Sequence, residues 1–194
     1  MLGFFTDPYP NELLYSAVAR YHYYMGNSYY IDTNLEVYGV RKPISNLYFG
    51  VYLDFLSKSL EGSYCLKEII FNHTIFPFYQ PFISEDLNNK IINDMKFGNP
   101  NFSELCLFST RICKKYYLYY CPKCANEDIN EYGEAYFHVE HQLDGISICS
   151  KHKLLLKPYI SFETWKNNYD YIRFDKTKAE LEIEFPIVDE MHKK

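Results

Sequence analysis

Apolar residues at helical spacing through the first hundred positions, and two short pairs at Cys121/Cys124 and Cys149/His152, predict a mainly α fold. The same features divide it into an N-terminal helix-turn-helix-like bundle and a small α+β module of zinc-knuckle type. No apolar run approaches the ~18 residues of a membrane span, so a segment crossing a bilayer is not expected.

The elements follow in chain order. Asp7-Pro8-Tyr9-Pro10 is an extended lead-in, and Pro10 stands where a helix can begin. From Asn11, the residues Leu13, Leu14, Ala17, Val18, Tyr21, Tyr24 and Met25 recur at helical spacing, and Gly26-Asn27 supplies a stop. A short helix fits Thr33 to Tyr38, capped by Asp32 or Thr33 and ended by Gly39. A third fits Ser45 to Leu60, with Leu47, Tyr48, Val51, Phe55 and Leu60 on one face. Tyr64 to His73 reads as another helix. Thr74 to Ile83 is aromatic, is broken by Pro77 and Pro81, and should be an irregular packed connector. Ser84-Glu85-Asp86 is a cap followed by acids, so a helix should run from it to about Lys96 and stop at Gly98. Residues 101–115 carry no clear pattern, and residues 116–157 hold the two ligand pairs. Beyond Pro158, Trp165 to Asn168 suits a turn, and Leu181 to Phe185 alternates as an edge strand or mobile tail would.

Tyr (21) and Phe (15) are used far above average, which excludes a disordered chain and leaves more tyrosines than a core can hide. The formal charge of −5 opposes a nonspecific, charge-driven nucleic-acid binder, although a local basic face remains compatible with it. Met1 to Phe5 lacks the pattern of a signal peptide, so a reducing cytoplasm is the expected setting. There, paired cysteines read as metal ligands rather than disulfides. Cys65, Cys106 and Cys113 lack ligand-spaced partners and are expected to pack as small apolar residues.

Cys121-Pro122-Lys123-Cys124 and Cys149-Ser150-Lys151-His152 are separated by 24 residues. Each two-residue spacer lets a pair turn both side chains toward one ion, and two such knuckles complete a tetrahedron of three sulfurs and one nitrogen. The set is closed: one structural Zn2+, with no open position for a catalytic water. It adds one more negative charge to the chain. Three alternatives stay open. Cys121 and Cys124 could be a redox pair beside an unrelated Cys149. His138 or His141 could replace His152 as fourth ligand. His138-Val139-Glu140-His141 could form a catalytic metal site with Glu140 as base, although its spacing is not the H-E-x-x-H of zincins. His141 and Gln142 are otherwise expected to brace the zinc module by hydrogen bonds.

Basic residues give a second set of candidates. Arg111, Lys114 and Lys115 precede the tyrosines at 116, 117, 119 and 120, and Lys123 and Lys151 lie within the knuckles. Interleaved cations and aromatics suit phosphate contact and base stacking. Arg20, Arg41 and Lys42 place positive charge along the N-terminal bundle. The competing role for each is a solvated face or, for Arg20, an ion pair with Glu12 or Asp7. No phosphate loop, nucleophile elbow or paired-carboxylate site is present in the sequence, so an enzyme is not expected.

Several stretches resemble the TniQ family, and within it the TnsD-type target selectors of Tn-seven-like transposons. They are Pro8 to Ser16, Ala19 to His22, Asn72 to Tyr79, Tyr120 to Cys124, Glu127-Asp128, Tyr132 to Glu134, His141-Gln142 and Cys149 to His152. The likeness covers roughly residues 5 to 158. It implies a helix-turn-helix-like part over 1–62, a TniQ core with the zinc module over 63–158, and a C-terminal extension over 159–194. It further implies a bacterial adaptor that binds target DNA or a guide complex and recruits the AAA+ regulator TnsC, which brings the transposase. The alternative is a module that only engages that regulator, with DNA read by other parts of a longer protein. Departures from the family pattern fall in turns: Asp144 and Ser150 stand where Pro is common, and Lys153 where Gly is.

Overall fold

The computed structural model describes residues 2–44, 48–60, 63–98, 115, 117–161 and 171–181. They form a mainly helical protein with one two-stranded antiparallel sheet.

Helix α1 spans Leu14–Met25 and ends at Gly26, whose φ of 68° is the left-handed stop that glycine takes without strain. It begins three residues later than the apolar spacing suggests, because residues 11–13 pair with another segment. The Leu13 N–H donates to Phe137 O at 2.8 Å and the Val139 N–H to Asn11 O at 2.9 Å, around a bridge between Glu12 and His138. A backbone N–H or C=O committed to that pairing cannot also serve a helix, so α1 starts only where the Leu13 carbonyl is free to accept from Ala17. Helix α2, Tyr30–Tyr38, begins before its expected cap. Thr33 lies inside it, buried, with its hydroxyl 2.6 Å from His22 Nδ1. Gly39 ends the helix as expected.

The helix expected over Ser45 to Leu60 is much shorter. Helix α3 is Leu53–Ser59, and residues 45–47 lie outside the described residues. Gly50 (φ 70°) and Tyr52 (φ 57°) both take left-handed backbone, which a continuous helix cannot contain. A Cβ on Gly50 would meet the Leu14 and Leu53 side chains at 3.0 and 3.1 Å, so the turn is also a close approach.

Helix α4, Leu66–His73, is capped by Cys65. Its sulfur accepts from the Glu68 N–H while the Glu68 carboxylate accepts from the Cys65 N–H at 2.8 Å, a reciprocal capping box. Cys65 is therefore an exposed cap, not a packed apolar residue. Cys106 and Cys113 lie outside the described residues. The proline-broken connector contains helix α5, Phe76–Tyr79, and one turn of 3-10 helix over Gln80–Phe82. Helix α6, Glu85–Phe97, has the expected Ser84 cap and Gly98 stop.

Strand β1, Tyr117–Tyr120, pairs antiparallel with β2, Lys157–Ser161. Its register slips between Leu118 and Tyr119, opposite Pro158, which has no N–H to give the ladder. Helix α7, Pro122–Tyr132, follows β1 directly. Helix α8, Lys176–Leu181, was not expected, and it places Leu181 at a helix end rather than in a strand. Trp165 to Asn168 and residues 182–185 lie outside the described residues.

Helix α1 packs on α2, α2 on α3, and α3 on both α4 and α6. One hydrophobic core runs from Leu13, Val18 and Tyr21 through Leu53, Leu56, Ile70, Phe76 and Met95 to Leu118, Phe137 and Tyr159. Phe137, Tyr159 and Phe174 meet there with ring centroids 4.9 to 5.3 Å apart, which accounts for part of the aromatic excess. A smaller cluster beside it is made of Cys121, Cys124, Cys149 and Leu156.

Candidate metal centre

Cys121 is the residue before α7 and Cys124 lies in that helix's first turn. Pro122 at the first helical position forces this sharp start, because its φ suits a helix and its missing N–H is not needed there. The second pair sits in a hairpin. Cys149 N–H donates to Leu154 O at 2.8 Å, Lys153 N–H to Cys149 O at 2.9 Å, and Leu156 N–H to Ser147 O at 2.8 Å. The His152 N–H points at Cys149 Sγ, 3.4 Å away, as in a metal knuckle.

These two turns bring Cys121, Cys124, Cys149 and His152 together, with one ligand atom from each inside a 4.8 Å group. His152 Nδ1 is 3.5, 3.3 and 3.8 Å from the sulfurs of Cys121, Cys124 and Cys149, and the last two sulfurs are 3.7 Å apart. Zinc bonds of about 2.3 Å to sulfur and 2.0 Å to nitrogen give a tetrahedron with edges of about 3.5 to 3.8 Å. The donor atoms thus fit one tetrahedral ion. The three cysteines are buried and the chain has them as free thiols. Burial pushes the Cys121 and Cys124 thiols above their ordinary range, Cys124 furthest. A bound dication reverses that preference, since it compensates the thiolate charge that burial penalises.

The surroundings are organised for the same purpose. His152 Nε2 lies 3.0 Å from Glu127 Oε1, and the other oxygen of Glu127 accepts from Lys151 Nζ at 2.6 Å. A carboxylate on the far ring nitrogen keeps the proton off Nδ1, so that nitrogen keeps a lone pair for a metal. Gln142 is fully buried. Its Oε1 accepts from the Tyr119 N–H at 3.0 Å and its Nε2 donates to Tyr119 O and His138 O at 2.8 and 3.0 Å. It thereby fixes β1 at Tyr119, two residues before Cys121. His141 is also buried, its Nε2 3.9 Å from Cys124 Sγ. Burial pushes its imidazole down to about 3, and its Nδ1 has no hydrogen-bond partner among the described residues. With Glu140 and Cys149 it forms a second, three-residue donor group that shares Cys149. His138 is turned elsewhere: its Nε2 meets Asp128 Oδ2 at 2.9 Å and its ring stacks on Tyr136.

The basic candidates separate. Arg20 is buried; its guanidinium donates to both oxygens of Glu12, to Glu134 Oε1 and to Asp7 O at 2.8 to 3.0 Å, and stacks over Tyr9. Lys115 is buried too; its ammonium donates to His141 O at 2.6 Å, and burial pushes its pKa down to about 8. Both are buried against partners inside the protein rather than presented on its surface. Arg41, Lys42 and Lys123 are exposed, with the Lys42 ammonium 5.0 Å from the Tyr52 ring centre. Lys151 is exposed and tied to Glu127. Arg111 and Lys114 lie outside the described residues. Two contributors escaped the sequence reading: Glu127 behind His152, and Glu134 as a second carboxylate on Arg20. A carboxylate three residues after Cys124 was a usable signal for the first; nothing local announces the second.

A sequence model of the TniQ family matches residues 4–156, which include all four Cys/His donors. The Escherichia coli protein named Transposon Tn7 transposition protein TnsD is 32% identical over 156 residues, covering 78% of this chain and 31% of that protein. The match thus spans about a third of that relative's own length. The matched region carries the α1 lead-in, the α4–α5 segment and both metal knuckles, and on that extent of agreement the chain belongs to the TniQ family.

Proposed function

We propose that this chain is a target-selection adaptor in DNA transposition: it binds target DNA and recruits the AAA+ regulator TnsC, through which the transposase follows. The similarity to a TnsD transposition protein across residues that build one continuous core carries this reading. One structural zinc on Cys121, Cys124, Cys149 and His152 would hold β1, α7 and the 147–156 hairpin together. Four protein donors leave no coordination site for substrate, which supports a non-enzymatic role. The division into residues 1–62, 63–158 and 159–194 belongs to the same proposal, as does a bacterial cytoplasmic setting.

Of the DNA-contact candidates, Arg41, Lys42, Lys123 and Lys151 remain on the surface. Four phosphate contacts predict a slope of about −3.6 for log K against log salt. Titration of target and random duplexes between low and physiological salt tests this. Equal affinity for both duplexes, or no salt dependence, removes DNA recognition from this chain. The second reading, a module that engages only the AAA+ regulator, is favoured by one observation: burial of Arg20 and Lys115 removes two cations from the surface of a chain already at −5. Regulator binding without DNA binding selects it.

A further inference from the structure

The 147–156 hairpin carries an apolar surface beside the candidate metal group. Ile146, Ile148, Leu154 and Leu155 all project to solvent around it, Leu155 70% and Ile148 50% exposed. Ile148 and Leu155 face each other across an antiparallel bridge, so their side chains adjoin. Scattered exposed aliphatics are ordinary; four on one small hairpin are a patch. Three backbone bonds hold the hairpin, and Cys149 and His152 of the candidate metal group lie at its turn.

Its charge is distinctive as well. Residues 145–161 contain three lysines and no carboxylate, within a chain of net charge −5. Lys151 pairs with Glu127. Among the described residues, no carboxylate lies within ion-pair distance of Lys153 or Lys157. Lys153 also holds a left-handed backbone (φ 56°), a conformation that glycine takes without cost. A lysine kept where glycine would be relaxed points to a use for its side chain.

We infer that this hairpin is a docking surface for a protein partner, setting the aliphatic residues of its two arms into an apolar groove whose rim carries carboxylates for Lys153 and Lys157. The inference rests on the proposed function for the partner's identity, the AAA+ regulator, and on the hairpin for its chemistry. A protein is favoured over DNA by the apolar surface itself. An aliphatic patch gains more from an apolar groove than from a polyanion. The backbone bonds across the hairpin help, because a preorganised surface loses little entropy on docking.

The test measures binding of the purified AAA+ regulator to the intact chain and to two variants, Leu155→Glu and Lys153→Glu/Lys157→Glu. Zinc content and circular dichroism check that each is folded, and the second variant serves if the first misfolds. Leu155→Glu should weaken regulator binding at least about tenfold. The lysine reversal should slow association several-fold and flatten its salt dependence. DNA affinity and sedimentation should stay at wild-type values for both. Wild-type regulator binding by both folded variants overturns this inference and leaves the proposed function standing. Failure of the unmodified chain to bind the regulator overturns both. Selective loss of DNA affinity reassigns the hairpin to nucleic acid, and selective loss of self-association reassigns it to a second copy; either result overturns the proposal.

Discussion

Two buried polar centres hold this protein together, and they do so by opposite means. The Cys/His centre gathers four donors from two knuckles that could hold a metal ion, which the chain does not itself supply. The Arg20 centre is self-sufficient: one guanidinium satisfies Glu12, Glu134 and a backbone carbonyl of the lead-in, joining α1 to the turn after α7. With the proposed zinc, the first centre is conditional on metal and redox state, whereas the second is present whenever the chain is folded. The joint between the N-terminal helices and the metal module therefore should not depend on metal alone.

The largest effect should come from the conditional centre. Structural zinc supplies on the order of 10 kcal/mol in small modules. Cys149→Ser, or chelation of the wild type, should abolish stoichiometric zinc and unfold the 117–161 segment. Metal analysis and hydrogen exchange measure the two outcomes. A variant that keeps one zinc per chain would break the four-donor model and turn attention to His141.

The self-sufficient centre should respond next. Arg20→Met leaves the fully buried Glu12 carboxylate without its cation, a change that costs about 3–5 kcal/mol. Chemical denaturation measures it. Zinc stoichiometry should survive, which separates the two centres. The pH dependence has a definite sign. Burial already pushes Glu12 above its ordinary range, with Arg20 opposing. Without Arg20 the folded carboxyl binds its proton more readily than the unfolded one, so the variant's deficit should shrink as pH falls. Replacing both partners by apolar residues, Glu12→Leu with Arg20→Met, should recover most of the loss, because no unpaired charge remains.

Glu127→Gln should have a smaller effect, confined to the metal. It removes the carboxylate behind His152 and should weaken zinc about tenfold in a competition titration with a chelator. Unfolding under excess zinc should be unchanged, since Glu127 is exposed.

The contrast also explains what could be read before the structure was seen. The metal pairs announce themselves because both donors of a knuckle lie three residues apart, so local geometry alone brings them together. Helix stops at Gly26, Gly39 and Gly98 and the Ser84 cap are legible for the same reason. Arg20 was open to an ion pair with Glu12, eight residues away, but Glu134 is 114 residues distant and carries no local signal. The β1–β2 pairing joins residues about forty apart through a tyrosine-rich strand without alternation. The overlong helix at 45–60 had the right period but contained Gly50 and Tyr52, whose left-handed turn is set by packing against Leu14 and Leu53. Local rules identified residues; tertiary partners decided which of the basic ones faced inward.

The smallest predicted effect probes the point where structural and binding demands meet on the metal hairpin. Lys153→Gly relieves a left-handed lysine, worth about 1–2 kcal/mol. Glycine also frees the unfolded chain, which takes back about 0.5–1 kcal/mol. The net gain should be at most about 1.5 kcal/mol, readable as a small rise in thermal midpoint with zinc content unchanged. That gain should coincide with weaker regulator binding if the lysine serves the docking surface. A rise in stability with full regulator binding would reduce Lys153 to a tolerated strain. No rise at all would mean that the metal, by holding Cys149 and His152 on either side of the turn, sets this backbone whatever side chain it carries.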